Sequence, residues 1–501
     1  MSAALAPAPH ALARQLRPGG PLPALFDWVH GPLAHWARTR PDALALANER
    51  QRLSFAELHA RVQARARRLD AEGAPATVLL GGDAGTLDGL VDFLGVIASG
   101  RCAAMGDAQW PAVVAQAVAE RLPVPAGAPG QGATPLSPFY IGFTSGSTGL
   151  PKGFMRHHRS WAESFRVSLR DFGPAAATRV LAPGRMSHSL FLFGALLGLW
   201  TGAGALLQER FSAPRALATL QAGAAPLLVA VPSQLVLMLQ YAERRRLAPI
   251  AGVELVLISG ARWLRERTPA LRRLFPRARI VEFYGASEAS YIAWMDADPA
   301  APAQAVGRAF SNVDLHIGEH PEAPSMPAGT PGLIWVKSPM LFMDYVNQAD
   351  ATAALRAGDW LSVRDMGHLD ASGLLHLCGR ENRMLVTQGK NLFPEEVELR
   401  LLAHPAVAQA SLQGVADALR GSSVHAVLQW QGDAPAGAQQ LAAWCREALE
   451  PFKTPRHWWL WKGDWPQTAS GKTDHGAIAR ALAGTSAGMP AGASPLLEPW
   501  L

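Results

Sequence analysis

Short apolar runs alternate with segments of helical periodicity through the middle of the chain. The runs lie at residues 139–143, 227–231, 253–258 and 279–283, and a helical stretch follows each of them. Runs of this kind are typical of parallel strands that are buried on both faces of a sheet. The alternation therefore predicts an α/β domain.

The N-terminal part shows a similar alternation. Residues 54–70 carry apolar positions at helical spacing, and Ser54 is well placed to cap that helix. Residues 76–80 predict a short strand, and residues 90–97 predict a buried helix. A stretch rich in Pro, Gly and Ala at 123–138 then predicts a loop.

Toward the C-terminus the chain changes character. Glycines and prolines separate short predicted strands at 313–317, 332–336 and 374–378, as in a small β-rich subdomain. A further α+β unit with its own apolar segments spans residues 382–483. Residues 484–501 are rich in Ala, Gly, Pro and Ser, and we expect this tail to be loosely held.

Composition limits the classes of protein that fit. The chain has 501 residues, of which 49% are hydrophobic and 17% are charged, so we expect two or more domains with separate cores. Its most apolar stretch, 190–207, is broken by glycines and predicts buried core rather than a membrane span. Residues 1–16 lack the order of charged, apolar and small residues that marks a secretory signal, so we expect a cytoplasmic protein.

Charge and cysteine content exclude further classes. The formal net charge is +6, but the arginines are scattered through helical stretches, without the dense basic stripe and interleaved aromatics of a nucleic-acid-binding protein. This charge suits an anionic small substrate instead. Cys102, Cys378 and Cys445 have neither disulfide nor zinc-site spacing, so we expect single buried thiols.

The sharpest local signal is a run of hydroxyl residues and glycines directly after the apolar run at 139–143. Backbone N–H groups in such a run curl around an anion, and the hydroxyls and a lysine add donors. Pro151 stands where a Walker A motif needs glycine, so this is a phosphate loop of another kind. The candidate phosphate-binding residues are Thr144, Ser145, Gly146, Ser147, Thr148, Gly149 and Lys152.

The segment 144–153 resembles the phosphate loop of the adenylate-forming superfamily, which includes acyl-CoA synthetases, stand-alone adenylation domains and luciferases. Further motifs similar to those of the family follow in the family's order, and together they cover the chain from about residue 25 to about residue 480. These motifs lie at 283–288, 364–370, 378–380, 389–397 and 466–472.

The resemblance implies an α/β fold with two domains of unequal size. The large N-terminal domain, 1–381, would comprise two α/β subdomains and a small β-rich subdomain, and it would hold the phosphate loop and the nucleotide and acyl pockets. The small, mobile α+β domain, 382–483, would carry the catalytic lysine. It would turn about a hinge at Asn382, where the family more often has Asp or Lys, and a flexible tail, 484–501, would follow.

The motif at 283–288 implies roles at the nucleotide. The resemblance gives Glu288 to catalysis and to Mg²⁺, and a carboxylate oxygen does suit a hard cation. It gives Ser287 to the α-phosphate, and it places Tyr284 and Gly285 beside the nucleotide.

The later motifs imply roles at the ribose and in catalysis. Asp365 and Arg380 match the ribose-binding residues, and a carboxylate accepts hydrogen bonds from two adjacent hydroxyls at once. Arg364 departs from the family, which usually has Gly there. Lys472 matches the catalytic lysine of adenylation, and His475 stands where the family often has Arg.

The acyl pocket that the resemblance implies is mainly apolar. It contains no aspartate to pair with the ammonium of an amino acid, whose unpaired burial would be costly. Gly285 leaves room for acids larger than acetate, so an aromatic or a medium-chain acid is preferred, and both stay open. His188 fits a gating role and a purely structural role equally. The pocket residues are His188, Phe191, Gly260, Ala261, Phe283 and Gly285.

The implied function is ATP- and Mg²⁺-dependent activation of a small carboxylic acid as its acyl-AMP, followed by transfer of the acyl group to a thiol. The thiol belongs either to coenzyme A or to the phosphopantetheine of an acyl carrier protein. The alternatives are a stand-alone amino-acid-type adenylation enzyme, a luciferase-like use of the adenylate, and a non-catalytic nucleotide-binding relative. A tryptophan cluster in the small domain fits a docking surface or, preferably, a core; it comprises Trp458, Trp459, Trp461 and Trp465.

Overall fold

The computed structural model describes residues 24–81, 85–123, 132–144, 150–417, 420–432, 437–468, 472–486 and 496–500. By its packing the chain forms two compact units. Unit 1 comprises residues up to 301 together with 306–315 and 335–363, and unit 2 comprises 302–305, 316–334 and 364–501. Packing does not report mobility, so the domain boundary at 381/382 stays a prediction.

The helices alternate with strands along much of unit 1. In chain order they are α1 (Pro32–Thr39), α2 (Phe55–Ala71), α3 (Thr86–Ala98), α4 (Ala112–Ala119), α5 (His158–Phe172), α6 (Ser189–Trp200), α7 (Ala213–Gln221), α8 (Pro232–Arg245), α9 (Thr268–Leu274), α10 (Ala349–Ala353), α11 (Pro394–Leu402), α12 (Ala438–Arg446) and α13 (His475–Ser486).

Most strands are short. In chain order they are β1 (Leu44–Ala47), β2 (Arg52–Ser54), β3 (Thr77–Leu80), β4 (Cys102–Met105), β5 (Pro138–Thr144), β6 (Lys152–His157), β7 (Val180–Ala182), β8 (Ala205–Leu207), β9 (Leu227–Ala230), β10 (Leu255–Ile258), β11 (Arg279–Ala286), β12 (Ser290–Asp296), β13 (Ala305–Ala309), β14 (Asp314–Gly318), β15 (Gly332–Lys337), β16 (Asp344–Tyr345), β17 (Arg356–Ala357), β18 (Trp360–Leu361), β19 (Asp365–Leu369), β20 (Leu375–Arg380), β21 (Leu385–Thr387), β22 (Lys390–Leu392), β23 (Val407–Asp417), β24 (Gly421–Trp430), β25 (His457–Trp461) and β26 (Leu497–Trp500).

Unit 1 holds two mixed sheets. In one, the order is β16-β6-β5-β4-β3, and β5 lies between its parallel neighbour β4 and its antiparallel neighbour β6. In the other, β9, β10 and β11 pair in parallel, as their apolar sequences predict, and β12 closes against β11 antiparallel. The predicted α/β architecture is confirmed.

Local sequence signals position several helices. The Ser54 side chain accepts from the Glu57 amide and the Glu57 carboxylate accepts from the Ser54 amide, so the predicted cap of α2 is a complete capping box. Helix α6 is mostly buried, which confirms that this apolar stretch is core. Among the described residues, no helix combines the length and the apolar character needed to cross a membrane.

Unit 2 contains the β19–β20 hairpin and a mixed sheet in the order β22-β21-β24-β25-β26, with β23 paired to β24. Trp458, Trp461 and Trp465 are only 7 to 8% exposed, so the preferred core assignment is confirmed for them, while Trp459 is half-buried. Strand β26 pairs with β25, with Trp500 opposite Trp458. This pairing places 497–500 at the sheet edge, and the expectation that the tail 484–501 is loosely held stays a prediction.

Candidate active site

The predicted phosphate loop joins β5 to β6. Thr144 and Lys152 are paired residues at the end of this hairpin, and the Thr144 hydroxyl donates to the Lys152 carbonyl oxygen at 3.4 Å. The hairpin therefore brings the first residue and the lysine of the motif side by side. The residues between them that the sequence assigns to phosphate lie outside the described residues: Ser145, Gly146, Ser147, Thr148 and Gly149.

Lys152 and Glu288 both contact Tyr345, a residue that the sequence analysis did not single out. The Lys152 Nζ lies 3.3 Å from the centroid of the Tyr345 ring. The Tyr345 hydroxyl donates to Glu288 Oε1 at 2.6 Å. Glu288 acts to raise the pKa of Lys152, although burial of the lysine has the larger effect and lowers it. The candidate phosphate and metal ligands of unit 1 are thus neighbours.

Arg156 is a second residue that the sequence analysis missed. It is 1% exposed, and its guanidinium donates to the carbonyl oxygens of Ser287, at 2.6 Å, and of Met340. Burial lowers its pKa to about 9, and nearby Glu288 acts in the opposite direction. The arginine fixes the backbone of the Ser287–Glu288 turn against the segment that leads to Tyr345. The strand that holds it also contains Lys152 and His157, so nothing in the local sequence sets Arg156 apart.

The end of β11 carries the nucleotide motif, and Gly285 is required there by backbone geometry. A register shift falls between Tyr284 and Gly285, and a Cβ at residue 285 would collide with the carbonyl oxygen of Ser290. Tyr284 is half-buried and lies opposite Ala293 of β12. Close approach of the two strands therefore explains the glycine, in addition to any space it leaves in the pocket.

The candidate acyl-pocket residues come from three neighbouring segments of unit 1. The Ser259 hydroxyl donates to the Phe283 carbonyl oxygen at 3.0 Å, which joins the end of β10 to β11. Gly260 has a φ of +86°, a conformation that favours glycine, and Ala261 beside it is exposed.

The third segment precedes α6. Phe191 is buried, and a Cβ at Gly184 would collide with its ring, so close packing fixes this phenylalanine. The half-buried His188 ring lies 6.3 Å from the Phe191 ring, edge to face. The Phe283 ring meets Tyr291 in the same manner at 4.9 Å. Apolar and aromatic side chains thus dominate the residues assigned to the pocket.

Unit 2 brings the two ribose candidates and the lysine candidate together. Asp365 and Arg380 are cross-strand partners on β19 and β20, with Arg380 Nε 3.2 Å from Asp365 Oδ1. The pKa of Lys472 is lowered, first by desolvation and second by Arg380, while Asp365 acts to raise it. The backbone of Lys472 is held in place, because the Thr468 amide donates to the Lys472 carbonyl oxygen at 2.7 Å.

The structure explains why Arg364 stands where the resemblance leads one to expect glycine. Arg364 has a φ of +65°, in the left-handed region that glycine adopts most easily. Its guanidinium pairs with Glu381 at 2.6 Å, and the Glu381 amide donates to the Arg364 carbonyl oxygen at 3.0 Å. Local contacts therefore compensate for a strained backbone.

His475, at a position where the resemblance leads one to expect arginine, contacts an arginine from another segment. The Nη1 of Arg383 lies 3.3 Å from His475 Nε2, and its Nη2 donates to Glu398 Oε1 at 2.6 Å. The other imidazole nitrogen contacts the Ser411 hydroxyl at 2.8 Å. Asn382, the predicted hinge residue, is exposed in the short turn just before Arg383, and its role stays a prediction.

The residues around Glu288 fit a divalent cation that also binds phosphate oxygens. Within the described part of the chain, only one carboxylate oxygen of Glu288 has a hydrogen bond, which leaves the other for a metal. In the same part of the chain, no group of three or more His, Cys, Asp or Glu side chains is placed to hold a metal by itself. A cation here would thus depend on the nucleotide for most of its ligands.

This fold and these residues define an α/β enzyme with separate nucleotide-binding and C-terminal portions, and comparison with known proteins identifies the family. Residues 76–346 match the family described as AMP-binding enzyme, and residues 396–472 match its C-terminal domain. The chain therefore belongs to the AMP-binding enzyme family.

Three similar proteins illustrate this relationship. The chain is 38% identical over 339 residues to the uncharacterized acyl-CoA ligase YhfT of Bacillus subtilis, covering 68% of this chain and 67% of YhfT. It is 29% identical over 323 residues to the putative long chain fatty acid-CoA ligase VraA of Staphylococcus epidermidis, and the match covers 64% of this chain and 66% of VraA. The fold matches O-succinylbenzoate CoA synthetase (MenE) from Bacillus subtilis in complex with AMP, with a TM-score of 0.78 and 22% identity. The match covers 91% of this chain and 98% of MenE.

Proposed function

We propose that the enzyme activates an aromatic or medium-chain carboxylic acid as its acyl-AMP and then transfers the acyl group to the thiol of coenzyme A or of a carrier-protein phosphopantetheine. The observation that supports this most is the Asp365–Arg380 pair, which joins β19 to β20 at 3.2 Å and lies near enough to Lys472 for both charges to affect the pKa of the lysine. An ammonium beside the ribose-binding pair is suited to the α-phosphate of the same nucleotide.

In the first step, a carboxylate oxygen of the acid attacks the α-phosphorus of ATP, and pyrophosphate leaves. The protein's task is to hold two anions in line and to stabilise charge on the phosphoryl oxygens. Lys152 and the loop donors bind the pyrophosphate end, Asp365 orients the ribose, and Lys472 bridges the acid and the α-phosphate. Mg²⁺, held by Glu288 and phosphate oxygens, neutralises charge when bound.

In the second step, the thiol attacks the acyl carbon, and AMP leaves. Rotation of the small domain about Asn382 would withdraw Lys472 before this step, as in other hinge closures. The lysine therefore serves only the first half-reaction.

The Lys472→Ala variant tests this assignment. Loss of one preorganised donor typically lowers a rate roughly 100- to 1000-fold. We expect a loss of this size in acid-dependent ATP–pyrophosphate exchange, with thioester formation from supplied acyl-AMP largely retained. Lys462→Ala, which removes an exposed lysine of the same unit, is the matched control. Equal loss of both half-reactions in a folded Lys472→Ala protein would contradict the assignment.

The preference for an aromatic or medium-chain acid draws support from the pocket residues and from the relatives. Phe191 and Phe283 offer apolar surface, and one relative is named for an aromatic acid, 2-succinylbenzoate. A panel of aryl and fatty acids in the exchange assay, followed by coenzyme A and carrier protein as acceptors, separates these substrates. Selective exchange with amino acids would refute the preference.

A further inference from the structure

Tyr345 lies on the two-residue strand β16, and its position is fixed on several sides. The strand pairs with β6, so that Tyr345 lies opposite Phe154, and its amide donates to the Thr352 hydroxyl at 2.9 Å. The side chain is 7% exposed, and its ring packs edge to face against Phe342 at 5.0 Å. A tyrosine held in this way presents its ring and hydroxyl in a defined orientation.

The hydroxyl and the ring face of Tyr345 contact groups of opposite charge. Its hydroxyl donates to Glu288 Oε1 at 2.6 Å, a distance typical of a charge-assisted hydrogen bond. Its ring face carries the Lys152 ammonium at 3.3 Å from the centroid, which is a close cation–π contact. The backbone of Glu288 is fixed as well, because its carbonyl oxygen accepts from the Phe342 amide at 2.7 Å.

Lys152 and Glu288 are near enough for the carboxylate to raise the pKa of the ammonium, yet within the described residues they form no ion pair. A direct ion pair would place the ammonium on the carboxylate and block the oxygen that a metal needs. The Tyr345 side chain gives each group a different partner. The ammonium stays on the ring, and the carboxylate keeps one oxygen held and one available.

We infer that Tyr345 is a positioning residue that keeps Lys152 and Glu288 apart and orients the Glu288 carboxylate for a divalent cation bound to a nucleotide triphosphate. This inference rests on the proposed function, since it assumes that Glu288 and Lys152 receive a metal–nucleotide complex. It adds a residue that acts through its neighbours and does not touch the reacting atoms.

The Tyr345→Phe variant keeps the ring and removes only the hydroxyl. Residues that orient a metal ligand typically change metal affinity about 10- to 100-fold when mutated. We expect the dissociation constant of Mg²⁺ from the enzyme–ATP complex, measured by titration calorimetry without the acid, to rise about 10-fold. The free Mg²⁺ concentration at half-maximal pyrophosphate exchange should rise with it at saturating ATP, with little change in the KM for ATP. Tyr345→Leu also removes the ring, and we expect it to raise the KM for ATP as well.

Tyr241→Phe is the matched control, because Tyr241 also carries a cation over its ring, Arg245 at 5.8 Å, but lies on α8 away from the motifs. It should leave the Mg²⁺ midpoint unchanged. Lys152→Met provides a second test if Tyr345→Phe folds poorly. Because this variant keeps the tyrosine hydroxyl, its Mg²⁺ midpoint should stay within about twofold of that of the unmodified enzyme, while its KM for ATP rises.

The outcomes separate this inference from the proposed function. Absence of acid-dependent exchange in the unmodified enzyme would refute the proposed function. If the unmodified enzyme shows exchange and the Mg²⁺ midpoint of folded Tyr345→Phe is not shifted, the role of Tyr345 is overturned and the proposed function stands. If Tyr345→Phe does not fold, a shifted midpoint in Lys152→Met would overturn it, because the ammonium would then influence the metal site although the tyrosine that is inferred to separate them is intact.

Discussion

The Arg383–Glu398–His475 cluster allows a quantitative prediction, because it joins the predicted hinge to the segment that follows Lys472. Glu398 is buried and accepts from Arg383 Nη2 at 2.6 Å, from Arg383 Nη1 at 3.1 Å and from the Leu412 amide at 2.7 Å. Glu398→Gln would keep the shape of the side chain and remove its charge. Arg383 would then remain largely buried, with Glu395 at 2.9 Å as its other carboxylate partner.

The magnitude follows from burial. Loss of one partner of a buried ion pair costs about 3 to 5 kcal/mol, and because Glu395 retains part of the attraction we expect about 2 to 3 kcal/mol. The control is Glu447→Gln, whose ion pair with Arg400 has a similar length, 2.9 Å, but a carboxylate that is 64% exposed. An exposed pair of this kind contributes about 0 to 1 kcal/mol.

Hydrogen exchange measures this difference locally, without assuming that both units unfold together. We expect amides of α11 and α13 to exchange roughly 30- to 150-fold faster in Glu398→Gln, since about 1.4 kcal/mol corresponds to a factor of ten. Glu447→Gln should change them less than about fivefold. Equal acceleration by the two variants, or none in Glu398→Gln, would refute the claim that this buried cluster anchors the two segments.

Two further predictions concern single positions. Arg364→Gly should change the free energy of unfolding by less than about 1 kcal/mol, because relief of backbone strain offsets the loss of a partly exposed ion pair. Arg364→Val should lower the free energy of unfolding by more than that, because a β-branched residue fits the left-handed conformation poorly. Chemical denaturation of both variants measures the difference. Burial lowers the pKa of His475 and of His425 to about 4, from an ordinary 6.5. Between pH 6.5 and pH 4 the unfolded chain therefore binds more protons than the folded chain, and the free energy of unfolding should fall as the pH drops through this range. The loss should be on the order of 1 to 2 kcal/mol per histidine, and a melting temperature that is flat over this range, or unaltered in its pH dependence by His475→Gln, would contradict it.

Much of the fold could be predicted because its signals are local. The apolar runs that predicted β9, β10 and β11 needed only burial on both faces of a sheet, and the cap at Ser54 needed only its neighbours. The candidate site residues could be proposed from the sequence because each motif carries its chemistry within a few positions. Strand β26 was missed because a four-residue edge strand is stabilised by its partner β25 and not by its own periodicity.

The residues that orient the site could not be found in this way. Tyr345 meets Glu288 and Lys152 only after folding, across long stretches of chain, and nothing in its own segment marks it. The contact between His475 and Arg383, which lie 92 positions apart in the chain, is likewise visible only in the folded structure. At Arg364 the resemblance predicts glycine. Only the structure shows that the arginine adopts the left-handed backbone conformation that glycine favours.

The central claim is that the carboxylate oxygen of the acid attacks the α-phosphorus of ATP. A turnover with ¹⁸O-labelled carboxylic acid, ATP and the thiol acceptor, analysed by mass spectrometry of the nucleotide, tests it most directly. The account predicts that one labelled oxygen appears in AMP, because the bridging oxygen leaves with the phosphoryl group when the thiol attacks. Thioester formation with unlabelled AMP, or with the label in inorganic phosphate and release of ADP, would contradict it.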